Sequence, residues 1–161
     1  MGLRQIKILF AALTALYMIM VTFNNLVDYP SNFAFVQAVF SMSDVFSGQT
    51  NKWRSIDDAT LHHVAYLFII AVEMTTAVLL SVGAIRMFRA RGGEVNKFHS
   101  AGKLVSAGLA IGVTLWFGMF LTIGGEWFLM WQSEKWNAQG NAFSLAIVFL
   151  LFLVIHQRHD R

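Results

Sequence analysis

A carboxylate in the middle of a long apolar segment is the residue of this sequence most suited to chemistry. Glu73 lies near the centre of a segment that runs from about His62 to Ile85. On insertion scales an ionised aspartate at the centre of a spanning helix costs roughly 2.5–3.5 kcal/mol, and glutamate is chemically similar. We therefore expect Glu73 to face other helices, as a protonated or strongly hydrogen-bonded carboxyl.

Polar side chains on the helix face of Glu73 extend this feature toward one end of the segment. At about 100° per residue, His62, Tyr66 and Thr76 fall on that face, and two asparagines close the preceding apolar segment. The predicted polar pocket consists of Glu73, His62, Tyr66, Thr76, Asn24 and Asn25. Such a pocket binds a ligand or exchanges protons; alternatively, its members form interhelical hydrogen bonds of about 0.6–2 kcal/mol each. The sequence is compatible with both interpretations.

Other chemistry has little support in the sequence. His62 and His63 are weak metal candidates, because adjacent helical side chains point about 100° apart and rarely bind one ion together. The chain has no cysteine, which excludes thiolate sites, and no nucleophile elbow, phosphate-binding glycine loop or zinc-protease motif. We predict no cofactor and favour a non-enzymatic protein.

Composition indicates an all-α integral membrane protein. Of 161 residues, 57% are hydrophobic and 13% are charged, whereas soluble domains carry about 25% charged residues. Four segments are predicted to span the membrane as a bundle, at about 6–27, 62–85, 103–125 and 136–156. They make residues 1–161 one transmembrane domain, with outer loops 28–61 and 126–135 and a cytoplasmic loop 86–102.

Charge sets the predicted orientation. Nine of the twelve Lys and Arg residues lie on one side, namely Arg4, Lys7, Arg86, Arg89, Arg91, Lys97, Lys103, Arg158 and Arg161. Positively charged loops remain in the cytoplasm, so both termini are predicted to be cytoplasmic. The net charge of +3 then reflects topology, and we predict membrane lipids rather than nucleic acid as partners.

The outer loops are predicted to be structured. Ser31 or Asn32 would cap a short interfacial helix, and Asp57 or Asp58 would cap the second spanning helix. The apolar face of the short helix would consist of Phe33, Val36 and Phe40. Aromatic anchors at the membrane surface are predicted at Trp127, Trp131 and Trp136.

Small residues recur at every fourth position of the third spanning segment. This ridge consists of Gly102, Ser106, Ala110, Thr114 and Gly118. Small side chains allow a neighbouring helix to approach closely, so the ridge is predicted to be a packing surface. The sequence does not say whether the neighbour belongs to this chain or to another subunit.

Several motifs resemble a bacterial family described as predicted small integral membrane proteins of unknown function. They are Asn24-Asn25-x-x-Asp28-Tyr29, Trp53-Arg54, Leu61-His62-His63, Glu73 and Gly124-Gly125-Glu126-Trp127-Phe128. The resemblance covers nearly the whole chain and implies a four-helix protein of the bacterial inner membrane, without supplying an activity.

Two functional hypotheses follow. The first is an accessory or structural subunit of a larger inner-membrane complex, or a self-associating bundle, with a protein partner or a second copy as its neighbour. The alternative is a binding or proton- or ion-linked transport module built around Glu73.

Overall fold

Residues 2–158 are described by the structure, a computed structural model, and every regular element among them is helical. The main helices are α1 (Leu3–Val27), α2 (Tyr29–Phe40), α3 (Ala59–Ala90), α4 (Val95–Ala101), α5 (Lys103–Val113), a π-helix (Thr114–Trp127) and α6 (Gln139–Gln157). Two short 3-10 helices cover Thr50–Arg54 and Met130–Gln132. Four spans are long and apolar enough to cross a membrane, namely Leu3–Val27, Ala59–Ala90, Val95–Trp127 and Gln139–Gln157. The predicted four-helix architecture is thereby confirmed.

The helix that carries Glu73 is longer than predicted. α3 has 32 residues and is about 48 Å long, so it extends beyond a bilayer core of about 30 Å. Asp58, rather than Asp57, caps it, because Asp58 Oδ1 accepts the backbone N–H of Leu61 at 3.0 Å. This hydrogen bond lowers the pKa of the Asp58 carboxyl, which lies outside the spanning helix.

The third span changes its winding half-way along. Its first part is α-helical, whereas Thr114–Trp127 is a π-helix. Hydrogen bonds between residues five positions apart mark this wider turn. Phe128 donates its backbone N–H to Ile123 O at 3.0 Å, and Thr122 Oγ1 donates to Phe117 O at 2.9 Å. Side-chain positions after Thr114 therefore no longer follow the α-helical period.

Close helix packing within the chain depends on glycines outside the predicted ridge and on Gly102 at one end of it, whose added Cβ would lie 2.7 Å from His156 Nε2. A Cβ added to Gly112 of α5 would lie 2.0 Å from the ring of Phe149 in α6. A Cβ added to Gly83 of α3 would lie 2.6 Å from Val105 Cγ2 in α5. Only glycine permits these two approaches of α5 to its neighbours.

The ridge residues themselves lie on several faces of the third span. Gly102 O lies 2.9 Å from His156 Nε2, and Ser106 Oγ accepts a hydrogen bond from Gln157 Nε2 at 3.0 Å. Further along, Ala110 and Thr114 are exposed. Each fourth residue moves about 40° around an α-helix, so the ridge turns away from a single neighbour. Packing of its exposed part against a second chain stays a prediction.

One end of the bundle gathers the positively charged segments, and we call it the basic end. Arg4 Nη1 donates to the carbonyl oxygens of Arg91, at 3.2 Å, and Gly93, at 2.7 Å. Lys7 Nζ donates to Arg158 O. The start of α1, the α3–α4 turn and the end of α6 therefore lie together, while Met1 and Arg161 lie outside the described residues.

The opposite end, which we call the loop end, contains α2 and the segments 41–58 and 128–138. α2 starts at Tyr29, so the predicted caps Ser31 and Asn32 were wrong, because Pro30 suits the first helical turn. Val36 is buried against Tyr66 on α3, which agrees with the predicted apolar face. Phe33 and Phe40 are partly buried. The position of α2 at a membrane surface stays a prediction.

Hydrogen bonds join the two connecting segments of the loop end. Ser133 Oγ donates to Asp44 Oδ2 at 2.5 Å, and Gln132 Oε1 accepts the backbone N–H of Phe46 at 3.1 Å. Trp127 and Trp131 are exposed, while Trp136 is partly buried. These contacts make the loop end a structured surface, as predicted.

α6 starts at Gln139, three residues later than predicted. The backbone N–H of Trp136 donates to Ser133 Oγ at 2.7 Å, so it is engaged by a side chain and not by a helical backbone carbonyl. Asn137 Oδ1 then accepts the backbone N–H of Gln139 at 3.0 Å. Local side-chain bonds of this kind compete with helix extension and set the start of α6.

Candidate functional site

The carboxyl of Glu73 is buried between α1 and α3. Its side chain is 1% exposed, and Oε2 accepts a hydrogen bond from Asn25 Nδ2 at 2.7 Å. The expectation that Glu73 faces other helices as a hydrogen-bonded group is met. A polar group buried without such a partner would cost several kcal/mol, so the donor from α1 stabilises the pair of helices.

Asn25 links Glu73 to a third polar residue. The Tyr66 hydroxyl donates to Asn25, and its oxygen lies 3.0 Å from the backbone carbonyl oxygen and 3.2 Å from the side-chain Oδ1. The amide of Asn25 thus accepts from α3 at one end and donates to α3 at the other. Because both ends are engaged, the register of α1 against α3 is fixed at this level.

A cavity of about 220 Å³ lies beside this hydrogen-bonded chain, and we call it the polar cavity. Its lining includes Asn25, Asn32, Tyr66, Glu73, Trp116 and Phe120. Trp116 is 7% exposed, and its indole N–H has no hydrogen-bond partner among the residues described. The polar cavity is several times larger than the share of about 30 Å³ that one water occupies in the liquid.

A second cavity, the apolar cavity, adjoins the polar one. It measures about 230 Å³ and lies between α2, α3 and the π-helix. Its lining residues are all apolar. The two cavities share four wall residues, namely Phe35, Val36, Ile69 and Phe120. A molecule held at the polar cavity therefore has apolar space directly beside it.

Three predicted members of the pocket, namely Asn24, Thr76 and His62, do not line the polar cavity. Asn24 is exposed, because it lies about 100° around α1 from Asn25 and faces away from α3. Thr76 is fully buried, but its Oγ1 donates to Val72 O at 2.8 Å within the same helix. Of the six predicted residues, the polar cavity brings together Glu73, Tyr66 and Asn25.

The two histidines have separate environments. His62 is buried, and its Nε2 lies 2.6 Å from Ile56 O in the loop before α3, away from the polar cavity. His63 is exposed, and its Nδ1 lies 2.8 Å from Tyr29 OH. The ring of His63 also stacks on Phe33 with centroids 3.9 Å apart. His62 thus contacts the segment before α3, and His63 joins α2 to α3.

Asn32 and Trp116 are the site residues that sequence reasoning missed. Asn32 was interpreted as a helix cap, although it lies within α2 and lines the polar cavity. Trp116 lies within the third span and is not one of the predicted interfacial tryptophans. A tryptophan in the middle of a spanning segment indicates a candidate site residue in the sequence, because its N–H needs a partner where water is scarce.

Comparison with known proteins identifies the family. A family model described as "Predicted small integral membrane protein (DUF2165)" matches residues 3–159. The chain belongs to this family. Membership in DUF2165 confirms the resemblance seen in the sequence and the integral membrane class, while the function of the family is unknown. No curated protein and no solved structure matches the chain.

Replacing Asn25 tests the geometry of the site. Asn25→Ala removes the donor to the Glu73 carboxyl and one of the two acceptors of the Tyr66 hydroxyl, so we expect the free energy of unfolding to fall by about 1–3 kcal/mol. Asn24→Ala changes the same residue type at the exposed neighbouring position, and a change within about 0.5 kcal/mol is expected. Thermal unfolding in detergent measures both variants. Equal effects would contradict the described hydrogen bonds.

Proposed function

We propose that this chain is a non-enzymatic membrane protein that binds a small molecule in the polar cavity at Glu73. One observation carries the proposal: a cavity of about 220 Å³ lies against the hydrogen-bonded residues Asn25, Tyr66 and Glu73, and Trp116 forms another part of its wall. A cavity that combines apolar walls with a few convergent polar groups is the usual form of a small-molecule site.

Interhelical hydrogen bonding alone explains only part of the site. It accounts for Asn25 and Tyr66, which bond to each other and connect to Glu73. It gives no reason for an open volume beside a buried carboxyl. Binding accounts for this volume without the alternating access that carriers achieve with repeated helix bundles. Proton- or ion-linked transport would need this additional machinery, so we favour binding over transport.

A role as an accessory or structural subunit is the second candidate function. The exposed Ala110 and Thr114 of the ridge favour it, since small residues on the outer surface of a span let another helix approach. The neighbour would be a larger inner-membrane complex or a second copy of this chain. This role is compatible with ligand binding, because Ala110 and Thr114 do not line the polar cavity.

We further propose that the protein resides in the bacterial inner membrane with its basic end in the cytoplasm. The argument is the positive-inside bias, because Arg4, Arg91 and Lys97 belong to segments that lie at one end of the bundle. Both termini would then be cytoplasmic, and anionic lipid headgroups would be the partners of this end.

Single cysteines in this cysteine-free chain test the orientation. We expect a membrane-impermeant thiol reagent applied to intact spheroplasts to label a cysteine at position 44, in the loop end. A cysteine at position 95, at the basic end, should be labelled only after the membrane is permeabilised. Labelling of position 95 from outside would contradict the proposed orientation.

Native mass spectrometry in a mild detergent tests binding. We expect the wild-type chain to retain a small molecule and Trp116→Phe, which changes the size and shape of one wall of the polar cavity, to bind it about two- to tenfold more weakly. Trp127→Phe is the matched control, because Trp127 is exposed at the loop end, and it should bind normally. Absence of any bound molecule, or equal retention by both variants, would overturn the proposal. A stoichiometric protein partner without a ligand would favour the second candidate instead.

A further inference from the structure

The apolar cavity opens toward the outside of the bundle. Two residues in its lining, Phe68 on α3 and Ile123 on the π-helix, are 59% and 47% exposed. Val36 and Met130 line the same cavity and are buried, so they close its inner side. The mouth of the apolar cavity therefore lies between α3 and the π-helix.

Lipid hydrocarbon is the medium at this mouth. The chain belongs to an integral membrane family, and the exposed apolar side chains of a spanning helix face lipid tails. Phe68 continues an exposed apolar surface that Val64 and Leu67 form on α3. An enclosed apolar cavity of roughly 150 Å³ binds one benzene molecule, and the apolar cavity measures about 230 Å³. It has room for part of one lipid chain that enters from the side.

The apolar cavity lies in the half of the membrane nearer the loop end. Arg86 and Arg89 mark the end of the hydrocarbon core near the basic end of α3. A core of about 30 Å takes about 20 helical residues, which reach from Ile85 back to about Tyr66. Phe68 is thus close to the loop-end boundary of the core. A lipid whose chain enters at this level has its headgroup at the loop end.

Contacts place the guanidinium of Arg54 about one helical turn from the mouth. Phe128 donates its backbone N–H to Ile123 O at 3.0 Å, so Trp127 and Phe128 lie one turn beyond Ile123. Arg54 Nη1 lies 3.4 Å from Trp127 O, and the guanidinium carbon lies 4.9 Å from the centre of the Trp127 ring. Exposed tryptophans at the end of a span favour the headgroup level, so Arg54 lies where lipid phosphates are found.

The charge of Arg54 has no counter-charge in the part of the chain that the structure describes. Within residues 2–158, its guanidinium donates to Trp127 O and pairs with no carboxylate. The side chain is partly exposed, so a group from the lipid layer reaches it. A guanidinium presents a planar fork of N–H donors that matches the oxygens of a phosphate. A phosphate is therefore the headgroup chemistry that complements this position.

We infer that the apolar cavity and Arg54 together bind a phospholipid from the half of the membrane at the loop end. One acyl chain lies in the apolar cavity between α2, α3 and the π-helix, and the phosphate pairs with Arg54 beyond the mouth. This site is distinct from the one proposed at Glu73, because neither Arg54 nor the mouth residues Phe68 and Ile123 line the polar cavity.

Photo-crosslinking to the purified full-length chain in mild detergent tests this inference. The probes are a phosphatidylglycerol with a diazirine near the end of one acyl chain and a diacylglycerol with the same chains, which lacks the phosphate. We expect phosphatidylglycerol to label the segments 65–69 and 119–124, which contribute to the apolar cavity, and unlabelled phosphatidylglycerol in excess to suppress this labelling. Labelling at the exposed Leu151 of α6 reports non-specific contact and should not saturate.

Cavity-filling variants test the position of the acyl chain. Ala65 lines the apolar cavity but not the polar one, so Ala65→Leu should reduce the saturable labelling, by about fourfold for each methylene excluded. Ala71→Leu, at an exposed position of the same helix, is the matched control and should label normally. Gly124→Ala is a second, smaller filler, because its added Cβ would meet no atom nearer than 3.5 Å. Thermal unfolding establishes that each variant is folded.

Replacing Arg54 tests the position of the phosphate. Arg54→Gln removes the charge, so the preference for phosphatidylglycerol over diacylglycerol should fall about two- to fivefold. Arg54→Lys keeps the charge and should lose less of this preference. Lys52→Gln is the matched control, because Lys52 is an exposed cation in the same 3-10 helix, and it should leave the preference unchanged. A merely structural role of Arg54 would lower labelling by both lipids equally and leave their ratio unchanged.

The outcomes separate this inference from the proposed function. Labelling around the apolar cavity that does not saturate, or that is insensitive to both Ala65→Leu and Gly124→Ala, would overturn the site. An unchanged lipid ratio in Arg54→Gln, or an equal change in Lys52→Gln, would overturn the phospholipid assignment. Trp116 does not line the apolar cavity, so a phospholipid bound there should remain in Trp116→Phe, whereas the molecule proposed for the polar cavity is bound more weakly. The two sites therefore fail separately.

Discussion

The burial of one carboxyl at the depth of the membrane core is the constraint on which the packing of α1 against α3 depends. Glu73 is 1% exposed, and its hydrogen-bond donor has to come from another helix, because its own backbone amides are used within α3. Asn25 of α1 supplies that donor, and Tyr66 holds the amide of Asn25 in place. The contact between α1 and α3 thus follows from satisfying one polar group.

The winding of the third span gives this polar centre its open volume. The π-helix carries Trp116 and Phe120, whose rings lie 5.0 Å apart between centroids, to the walls of the polar cavity. π-Helical segments occur frequently at functional sites, because the wider turn displaces side chains from regular packing. α2 then covers the space from the loop end and contributes Asn32 and Phe35. Two adjoining cavities result, one with polar groups and one entirely apolar.

Sequence reasoning succeeded where hydrophobic length and helix periodicity decide the outcome. The four spans, the inward orientation of Glu73, the participation of Tyr66 and the cap at Asp58 all follow from local rules. Family membership, recognised from motifs that extend over the chain, agrees with this architecture.

The same reasoning failed where a distant partner or an irregular turn decides. Asn24 and Asn25 are indistinguishable by residue type, and only the position of α3 separates the exposed residue from the partly buried one. His62 lies on the predicted face, yet the carbonyl of Ile56 holds its ring against the segment before α3. The small-residue ridge was predicted with an α-helical period, which ends where the π-helix begins at Thr114.

Infrared spectroscopy of the Glu73 carboxyl tests the central claim most directly, because it observes the group on which the site is built. Difference spectra against Glu73→Gln identify its stretching band. The described geometry predicts that this band shifts in Asn25→Ala, which removes the donor to Oε2, and stays in place in Asn24→Ala. A band that has the same frequency in both variants and in the wild-type chain would contradict the claim that Asn25 holds Glu73 in a buried site between α1 and α3.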